Sequence, residues 1–322
     1  MRQIKIFFED FWQGFNDHSN FIIDILEKEF DIMIDPNPDY LFFSVYGYNH
    51  LKYRNCIKIF YSGENIEPDF NLCDYAIAFQ FINAGDRYLR YPLYLMHGFE
   101  QLNNQPFDIE MALNRKFCNF VYSNNKWADP IRENFYKKLS KYKKIDSGGK
   151  FLNNMGAQVK NKLDFIKEYK FTIAFENSSL SGYTTEKIVE PMVVNSMPIY
   201  WGNPDIDLDF NKHSFIYVND YETMDEVINE IVRLDNDDKA YIQKLSIPWY
   251  CGDNYEQWKL KLSSFLKNII NQEYAKAKRI TNYGFVRTYR RKQETMGWLF
   301  SRKIMRLTIA NYEFSLLIGK KK

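Results

Sequence analysis

The 322-residue chain is long enough for one large domain or two ordinary ones with ample core. A net charge of only +2 excludes a polyanion binder over the whole chain. Four scattered cysteines, Cys56, Cys73, Cys118 and Cys251, lack metal-ligand spacing and read as buried thiols of a reducing compartment.

Residues 1–8 lack the long apolar core of a signal peptide and read as a first strand. No run approaches the ~18 apolar residues a membrane span needs, so a cytoplasmic protein is expected. Strand signals follow at Ile4–Phe8, Asp31–Ile34, Leu41–Val45, Ile57–Tyr61 and Tyr75–Phe79, with Phe21–Leu26 on a helix, the pattern of an open α/β sheet. Glu64 lies just past the fourth strand, at a strand's carboxyl edge, where a carboxylate can take a proton from a hydroxyl or simply cap a loop. Asp86, Arg87 and Arg90 are expected to form a bracing ion-pair network. The four histidines, His18, His50, His97 and His213, have no catalytic or metal-binding spacing.

A new strand begins at Phe117–Tyr122, and the domain boundary is placed just before it. A helix starts at about Asp129 and carries Arg132 in its first turn. Ser147-Gly148-Gly149, with Asn153 and Asn154, reads as a turn, or as a loop over a ligand. The most informative stretch is Phe171–Pro204. Phe171–Phe175 and Met197–Trp201 are apolar runs of strand length. Between them lie a polar loop, Glu176–Tyr183, and a helix predicted to be capped by Thr184, to start at Thr185 and to be kinked by Pro191. Ile188, Val189, Met192 and Val193 fall at helical spacing and face a core. This is a βαβ unit with its crevice at the strand ends. Lys187 sits in the first helical turn, where the helix dipole alone prefers an acid, so a bound anion such as phosphate is expected beside it. An isolated Thr-Glu-Lys is more often a salt-bridged surface turn. Asp205-Ile206-Asp207 and Asp207-Leu208-Asp209 spell a metal-binding DxD pattern, which is frequent by chance and is discounted. Ser214–Val218 reads as a strand, and Met224–Leu234 and Tyr255–Ile270 as helices.

From Lys276 to Lys322 there are thirteen Lys and Arg against two acids, Glu294 and Glu313, which leaves the rest of the chain at about −9. Phe285, Tyr289, Trp298, Leu299, Phe300, Ile304 and Ile309 are interleaved, and Arg302, Lys303 and Arg306 share one helical sector. This reads as a helix drawn to anionic lipid, with nucleic-acid binding ranked second.

Phe175-Glu176-Asn177, Tyr183, Thr185-Glu186-Lys187 and Pro198-Ile199-Tyr200-Trp201-Gly202 resemble the donor-binding motif of the α-1,3/1,4-fucosyltransferases, above all their bacterial members. Phe60-Tyr61-Ser62-Gly63-Glu64-Asn65 resembles their acceptor-side motif. Asp86–Arg90 with Pro92-Leu93-Tyr94 resembles the segment downstream, and Pro130-Ile131-Arg132 the turn carrying a donor-binding arginine. In family order these cover roughly residues 3–270.

The resemblance implies two facing Rossmann-like domains of the GT-B type. Residues 1–116 would form the acceptor-side domain, 117–272 the donor domain and 273–322 a basic amphipathic tail. It implies an inverting α-1,3- or α-1,4-fucosyltransferase that moves L-fucose from GDP-fucose to GlcNAc of a Galβ-GlcNAc-type glycan, such as a lipopolysaccharide O-antigen. Glu64 is then the general base, with Tyr61 beside it on the acceptor. Arg132 and Lys187 hold the diphosphate, Glu186 the ribose hydroxyls, and Asn177 and Tyr183 line the nucleotide. No metal or other cofactor is called for. The basic tail would bind the anionic surface of the inner membrane, making the protein cytoplasmic and peripherally membrane-associated, and no heptad repeat is present to drive oligomerisation. Between Leu95 and Phe117 the chain is shorter than in some bacterial members, which leaves the 3-OH and the 4-OH of GlcNAc both open. Two rivals remain: a membrane-associated GT-B enzyme using another nucleotide-sugar, and a non-catalytic glycan-binding protein.

Overall fold

Short apolar runs recur along the chain, and each becomes a parallel strand whose faces are covered by helices and loops. The computed structural model describes residues 1–301 apart from 103–106, 124, 127, 251, 282 and 283. It divides into two compact units. One comprises Met1–Ala78, Ile82–Arg90 and the chain from Lys259 onward, and the other Phe79–Phe81 and Tyr91–Trp258.

In the first unit, β1 (Arg2–Glu9), α1 (Ile23–Leu26), β2 (Phe30–Ile34), β3 (Tyr40–Phe43), β4 (Ile57–Tyr61), β5 (Tyr75–Ala78) and β6 (Tyr88–Arg90) follow in chain order. The strands form one parallel sheet in the order β2-β1-β3-β4-β5-β6. The chain moves outward from β1 to β2 and then returns to the other side of β1 for β3. The gap between β1 and β3 is therefore a topological switch point, where open α/β sheets form a ligand crevice.

The second unit holds α2 (Ile109–Leu113), β7 (Lys116–Phe120), α3 (Ile131–Leu139), β8 (Ile145–Ser147), α4 (Lys162–Ile166), β9 (Tyr169–Phe175), α5 (Glu186–Val193), β10 (Met197–Trp201), β11 (Ile216–Tyr217), α6 (Met224–Asn236) and α7 (Asp238–Leu245). Its parallel sheet runs β11-β10-β9-β7-β8, with the switch point between β7 and β9. Every residue of the central strand β9 is buried, as a strand covered on both faces requires. Helix α5 buries Ile188, Val189 and Met192, each contributing about 1.5–3 kcal/mol of apolar burial. Pro191 lies inside it, and the helix ends two residues later.

The division differs from the boundary expected at Phe117. Residues 91–113 carry no strand signal, yet Tyr94, Leu95 and Phe99 are buried, and Tyr94 and Phe99 pack against Phe210 at 5.0 and 6.2 Å, which ties this stretch to the second unit. Helix α8 (Tyr255–Asn271) buries Leu262, Leu266, Ile269 and Ile270. Its later part belongs with the first unit, where the Tyr40 hydroxyl donates to the Ile270 carbonyl at 3.2 Å and Phe265 meets Tyr75 edge-on.

The start of the expected tail is also part of the first unit. After α9 (Tyr274–Ala277), the buried Asp74 carboxylate accepts from Lys278 Nζ at 2.9 Å, Arg279 N at 2.7 Å and Ile280 N at 2.8 Å. Helix α10 (Phe285–Ser301) follows, and its Arg290 pairs with Asp69 at 3.4 Å. The sector of Arg302, Lys303 and Arg306 lies outside the described residues, as does Cys251. Cys56, Cys73 and Cys118 are buried free thiols.

The bracing network takes another form than expected. Arg87 donates to the carbonyls of Phe70, Cys73 and Asp74 and lies over the Phe70 ring, while Asp86 pairs with Arg279. Arginine's several donors let one side chain satisfy all three carbonyls.

Candidate active site

The second unit brings its polar residues together at the carboxyl ends of β7 and β9, on both sides of the switch point. Beyond β7, the Tyr122 hydroxyl accepts from Phe175 N at 2.7 Å and lies 2.9 Å from the Ile173 carbonyl, stitching the ends of the two strands. Asp129 starts the turn into α3: its side chain accepts from Ile131 N, and its own N–H donates to the Asn177 carbonyl at 2.8 Å. Arg132 follows in the first turn and is 0 % exposed. Its Nη2 donates to the Phe175 carbonyl at 2.9 Å and to Asn177 Oδ1 at 2.7 Å, and its guanidinium lies 4.1 Å above the centre of the Tyr122 ring.

Beyond β9, the chain turns through Glu176 into the loop before α5. The cap of that helix is Thr185, not Thr184, and the helix starts at Glu186. The reason is Glu176, whose fully buried carboxylate accepts from Thr185 N at 2.8 Å and from Thr185 Oγ1 at 2.7 Å. Thr184 is instead engaged by Asn203, which donates to its hydroxyl at 3.1 Å. The backbone must pass close here, since a Cβ at Gly202 would stand 2.5 Å from Glu176 Cγ.

Lys187 is enclosed by this arrangement, with its side chain 14 % exposed. Its Nζ lies 3.2 Å from Glu176 Oε2, 3.4 Å from Glu186 Oε1 and 2.9 Å from Thr185 Oγ1. The anion expected beside Lys187 is thus in part internal. Burial alone would lower the lysine's pKa, but Glu176 and Glu186 outweigh it and hold the ammonium charged. Burial pushes the Glu176 carboxyl up, opposed by Lys187 and the Thr185 donors. For Glu186, burial also acts upward, but the charges of Lys187, Lys162 and His97 bring it down to about 2. Glu186 is therefore a ready acceptor for hydroxyl donors at neutral pH.

The structure brings Arg132, Asn177, Glu186 and Lys187 into one neighbourhood and adds Glu176, which the sequence reading quoted within a motif and gave no role. A carboxylate directly after a largely apolar strand and nine residues before the capping threonine was the available signal. Tyr183 is buried and meets Phe79 edge-on at 5.1 Å, so its ring is a packing element in this structure. The Ser147–Asn154 stretch closes on itself: Asn154 Oδ1 accepts from Ser147 N, and Asn153 donates to the Gly149 carbonyl. Asp205, from the first DxD triplet, accepts from the Ser181 hydroxyl at 2.5 Å. Among the described residues no cluster of three or more His, Cys, Asp or Glu side chains could hold a metal.

In the first unit, Glu64 follows β4 and is half-buried, and its Oε1 accepts from the Tyr46 hydroxyl at 2.8 Å. Tyr61, expected on the acceptor, is 1 % exposed; its ring packs on Phe11 and Phe21 at 6.0 and 5.1 Å. It is the last residue of a strand buried at every position.

Two Rossmann-like units of this kind are the GT-B type of glycosyltransferase fold. The chain belongs to glycosyltransferase family 10, the fucosyltransferases. The family model for the α-(1,3)-fucosyltransferase FucT N-terminal domain matches residues 6–97, and the model for the C-terminal part of family 10 matches residues 112–280. The α-(1,3)-fucosyltransferase FucT of Helicobacter pylori is 36 % identical over 261 residues, 69 % of this chain and 54 % of that protein. The chain thus spans about half the length of this curated relative. A crystal structure of an α1,3-fucosyltransferase superposes with a TM-score of 0.76 at 30 % identity, covering 88 % of this chain and 93 % of that one. A crystal structure of an α1,3-fucosyltransferase with GDP-fucose gives 0.69 at 30 % identity, covering 85 % and 93 %.

Proposed function

We propose that this chain is an inverting fucosyltransferase that moves L-fucose from GDP-fucose to a GlcNAc hydroxyl of a Galβ-GlcNAc-type glycan. The observation that carries the reading is the charged, enclosed Lys187 at the α5 N-terminus beside Glu186, with Arg132 across the switch point of the unit matched by the family 10 model. The relatives named above are α-1,3 enzymes, which favours the 3-OH as the site of attack.

The chemistry is a single displacement. Glu64 takes the proton of the acceptor hydroxyl, and that oxygen bonds to the anomeric carbon of fucose. The bond from that carbon to the diphosphate breaks, and GDP leaves with the electron pair, so the donor's β-linkage becomes α. Lys187 and the N–H groups at the start of α5 bear on the charge that grows on the leaving diphosphate, which accelerates the step to the extent that they hold the transition state more tightly than the bound donor. Arg132, whose Nη2 is bonded to the Phe175 carbonyl and Asn177 Oδ1, adds a fixed positive charge behind them. Glu186 accepts from the ribose hydroxyls, and Asn177 borders the nucleotide. Tyr183 supports the loop from within, and Tyr61 stands behind the acceptor side instead of touching it. No metal enters this scheme.

Among the described residues no helix is long and apolar enough to cross a membrane. The surplus of thirteen basic residues over two acids in 276–322 supports attachment to an anionic membrane surface through the tail.

GDP release from GDP-fucose in the presence of N-acetyllactosamine or lacto-N-biose, followed by NMR of the product, tests this reading. An α-1,3-fucosylated product is expected, with Glu64→Gln losing at least about a hundredfold in kcat. Turnover of a different nucleotide-sugar, or full activity in Glu64→Gln, would overturn it.

A further inference from the structure

Loops from three adjacent strands converge on Glu64, and one buried carboxylate fixes the loop that touches it. Asp10 follows β1 directly and has a left-handed backbone, φ 61°, which a non-glycine residue holds only where its surroundings enforce it. Its side chain is 1 % exposed. Oδ1 accepts from Asn49 N at 2.9 Å, Oδ2 accepts from His50 N at 2.9 Å, and Oδ2 lies 2.6 Å from His50 Nδ1. The Asp10 carbonyl accepts from Tyr46 N at 3.0 Å. The His50 ring stacks on Phe43 at 4.3 Å, anchoring the other end of the loop to β3. Gly47 lets the loop pass over the carboxylate, since a Cβ there would stand 2.3 Å from Asp10 Oδ1. The segment after β3 is thus tied across the switch point to the end of β1.

This loop carries Tyr46. The residue is 52 % exposed, and its hydroxyl donates to Glu64 Oε1 at 2.8 Å. Burial and the Glu64 charge push the phenol's pKa up, so the hydroxyl keeps its proton and stays a donor. Glu64 in turn has its backbone fixed, with Glu64 N donating to Ser62 Oγ and Ser62 Oγ donating to the Glu64 carbonyl, both at 3.1 Å. The Tyr46 hydroxyl thus holds the carboxylate end of a side chain whose backbone is already fixed. A half-buried glutamate otherwise samples several rotamers, whereas a general base must lie within about 2.6–3.2 Å of the proton it removes.

We propose that Tyr46 is a positioning residue for Glu64, its hydroxyl holding one carboxylate oxygen so that the other is left to take the acceptor proton. Asp10, His50 and Gly47 hold the loop that presents it. The inference rests on the reading of Glu64 as the general base, and the test separates the two.

Steady-state kinetics with GDP-fucose and N-acetyllactosamine are measured for the wild type, Tyr46→Phe, Tyr46→Ala and Glu64→Gln, with thermal melting of each. Tyr46→Phe keeps the ring and removes only the hydroxyl. It is expected to lower kcat about tenfold, with KM for GDP-fucose and the melting temperature unchanged. Tyr46→Ala is expected to lower kcat at least as far. Wild-type kcat in Tyr46→Phe alongside an inactive Glu64→Gln would overturn the positioning role and leave the base in place; a raised acceptor KM in Tyr46→Ala alone would then make the ring a sugar-stacking surface. Loss of melting temperature in Tyr46→Phe in proportion to its loss of rate would make the hydroxyl merely structural and overturn the proposal. Full activity in Glu64→Gln would remove the base reading and the proposal together.

Discussion

Lys187 Nζ lies 3.2 Å from Oε2 of Glu176, a carboxylate with no exposure to solvent. The lysine therefore has two separable roles: it neutralises a buried acid, and it presents a positive charge at the start of α5. Glu176 in turn fixes the cap of that helix through Thr185.

Lys187→Ala leaves Glu176 buried without its ammonium partner. Removing one partner of a buried pair costs about 3–5 kcal/mol, and Glu176 can soften this by taking up a proton, since burial already pushes its pKa up. Urea denaturation is expected to show this loss in Lys187→Ala and to show much of it recovered when Glu176→Gln is added. GDP affinity, read by calorimetry, is expected to fall at least about tenfold in both variants, because neither restores the charge. Recovery of GDP binding together with stability would assign Lys187 a purely structural role.

Glu186 gives a pH signature. Its folded pKa, about 2, is depressed from the ordinary 4.5 because Lys187, Lys162 and His97 outweigh the upward effect of burial. A depressed acid stabilises the fold above its unfolded pKa, and that contribution disappears as pH falls from about 4.5 towards 2. Its size is about 3 kcal/mol as an upper bound, since the side chain is 25 % exposed. Denaturant midpoints measured across this window are expected to fall less steeply in Glu186→Gln than in the wild type. Parallel slopes would show that Glu186 gains nothing from its neighbours on folding.

Gly202 is the third test. A methyl group there would stand 2.5 Å from Glu176 Cγ and 2.8 Å from the Tyr200 hydroxyl. Gly202→Ala is expected to cost about 1–3 kcal/mol of stability through overpacking. It is also expected to weaken GDP binding, because Glu176 must shift and takes the Thr185 cap and Lys187 with it. Unchanged GDP affinity in a destabilised variant would uncouple Glu176 from the nucleotide.

Much of the sheet was legible because strand signals are local. Ile57–Tyr61 and Met197–Trp201 are strands end to end as expected, and Tyr75–Phe79 is one residue longer in the sequence reading than in the structure. Around the site, the positions of Arg132 and Lys187 in first helical turns were readable from Pro-Ile-Arg and Thr-Glu-Lys. Glu176 was not, because a carboxylate after a strand looks the same in sequence whether it faces solvent or is buried under a lysine. The Thr184/Thr185 choice failed for a related reason: both hydroxyls can cap, and the long-range bonds to Glu176 and Asn203 decide between them.

The sequence by itself determined the α/β character, the βαβ unit at Phe171–Pro204 and the family, since apolar run lengths, turn residues and ordered motifs are all encoded locally. The tertiary structure alone decided that Tyr61 and Tyr183 are buried, that residues 91–113 join the second unit, and that the start of the basic tail is locked onto Asp74. In a parallel sheet covered on both faces the strand positions are largely apolar throughout, so no alternation in the sequence reports which way Tyr61 points, and Tyr183 lies in a loop, where the sequence pattern reports no burial. Buried carboxylates such as Glu176, Asp74 and Asp10 are stable only with several donors around them, and those donors come from residues far away in the chain or across a loop, which only the folded arrangement brings together.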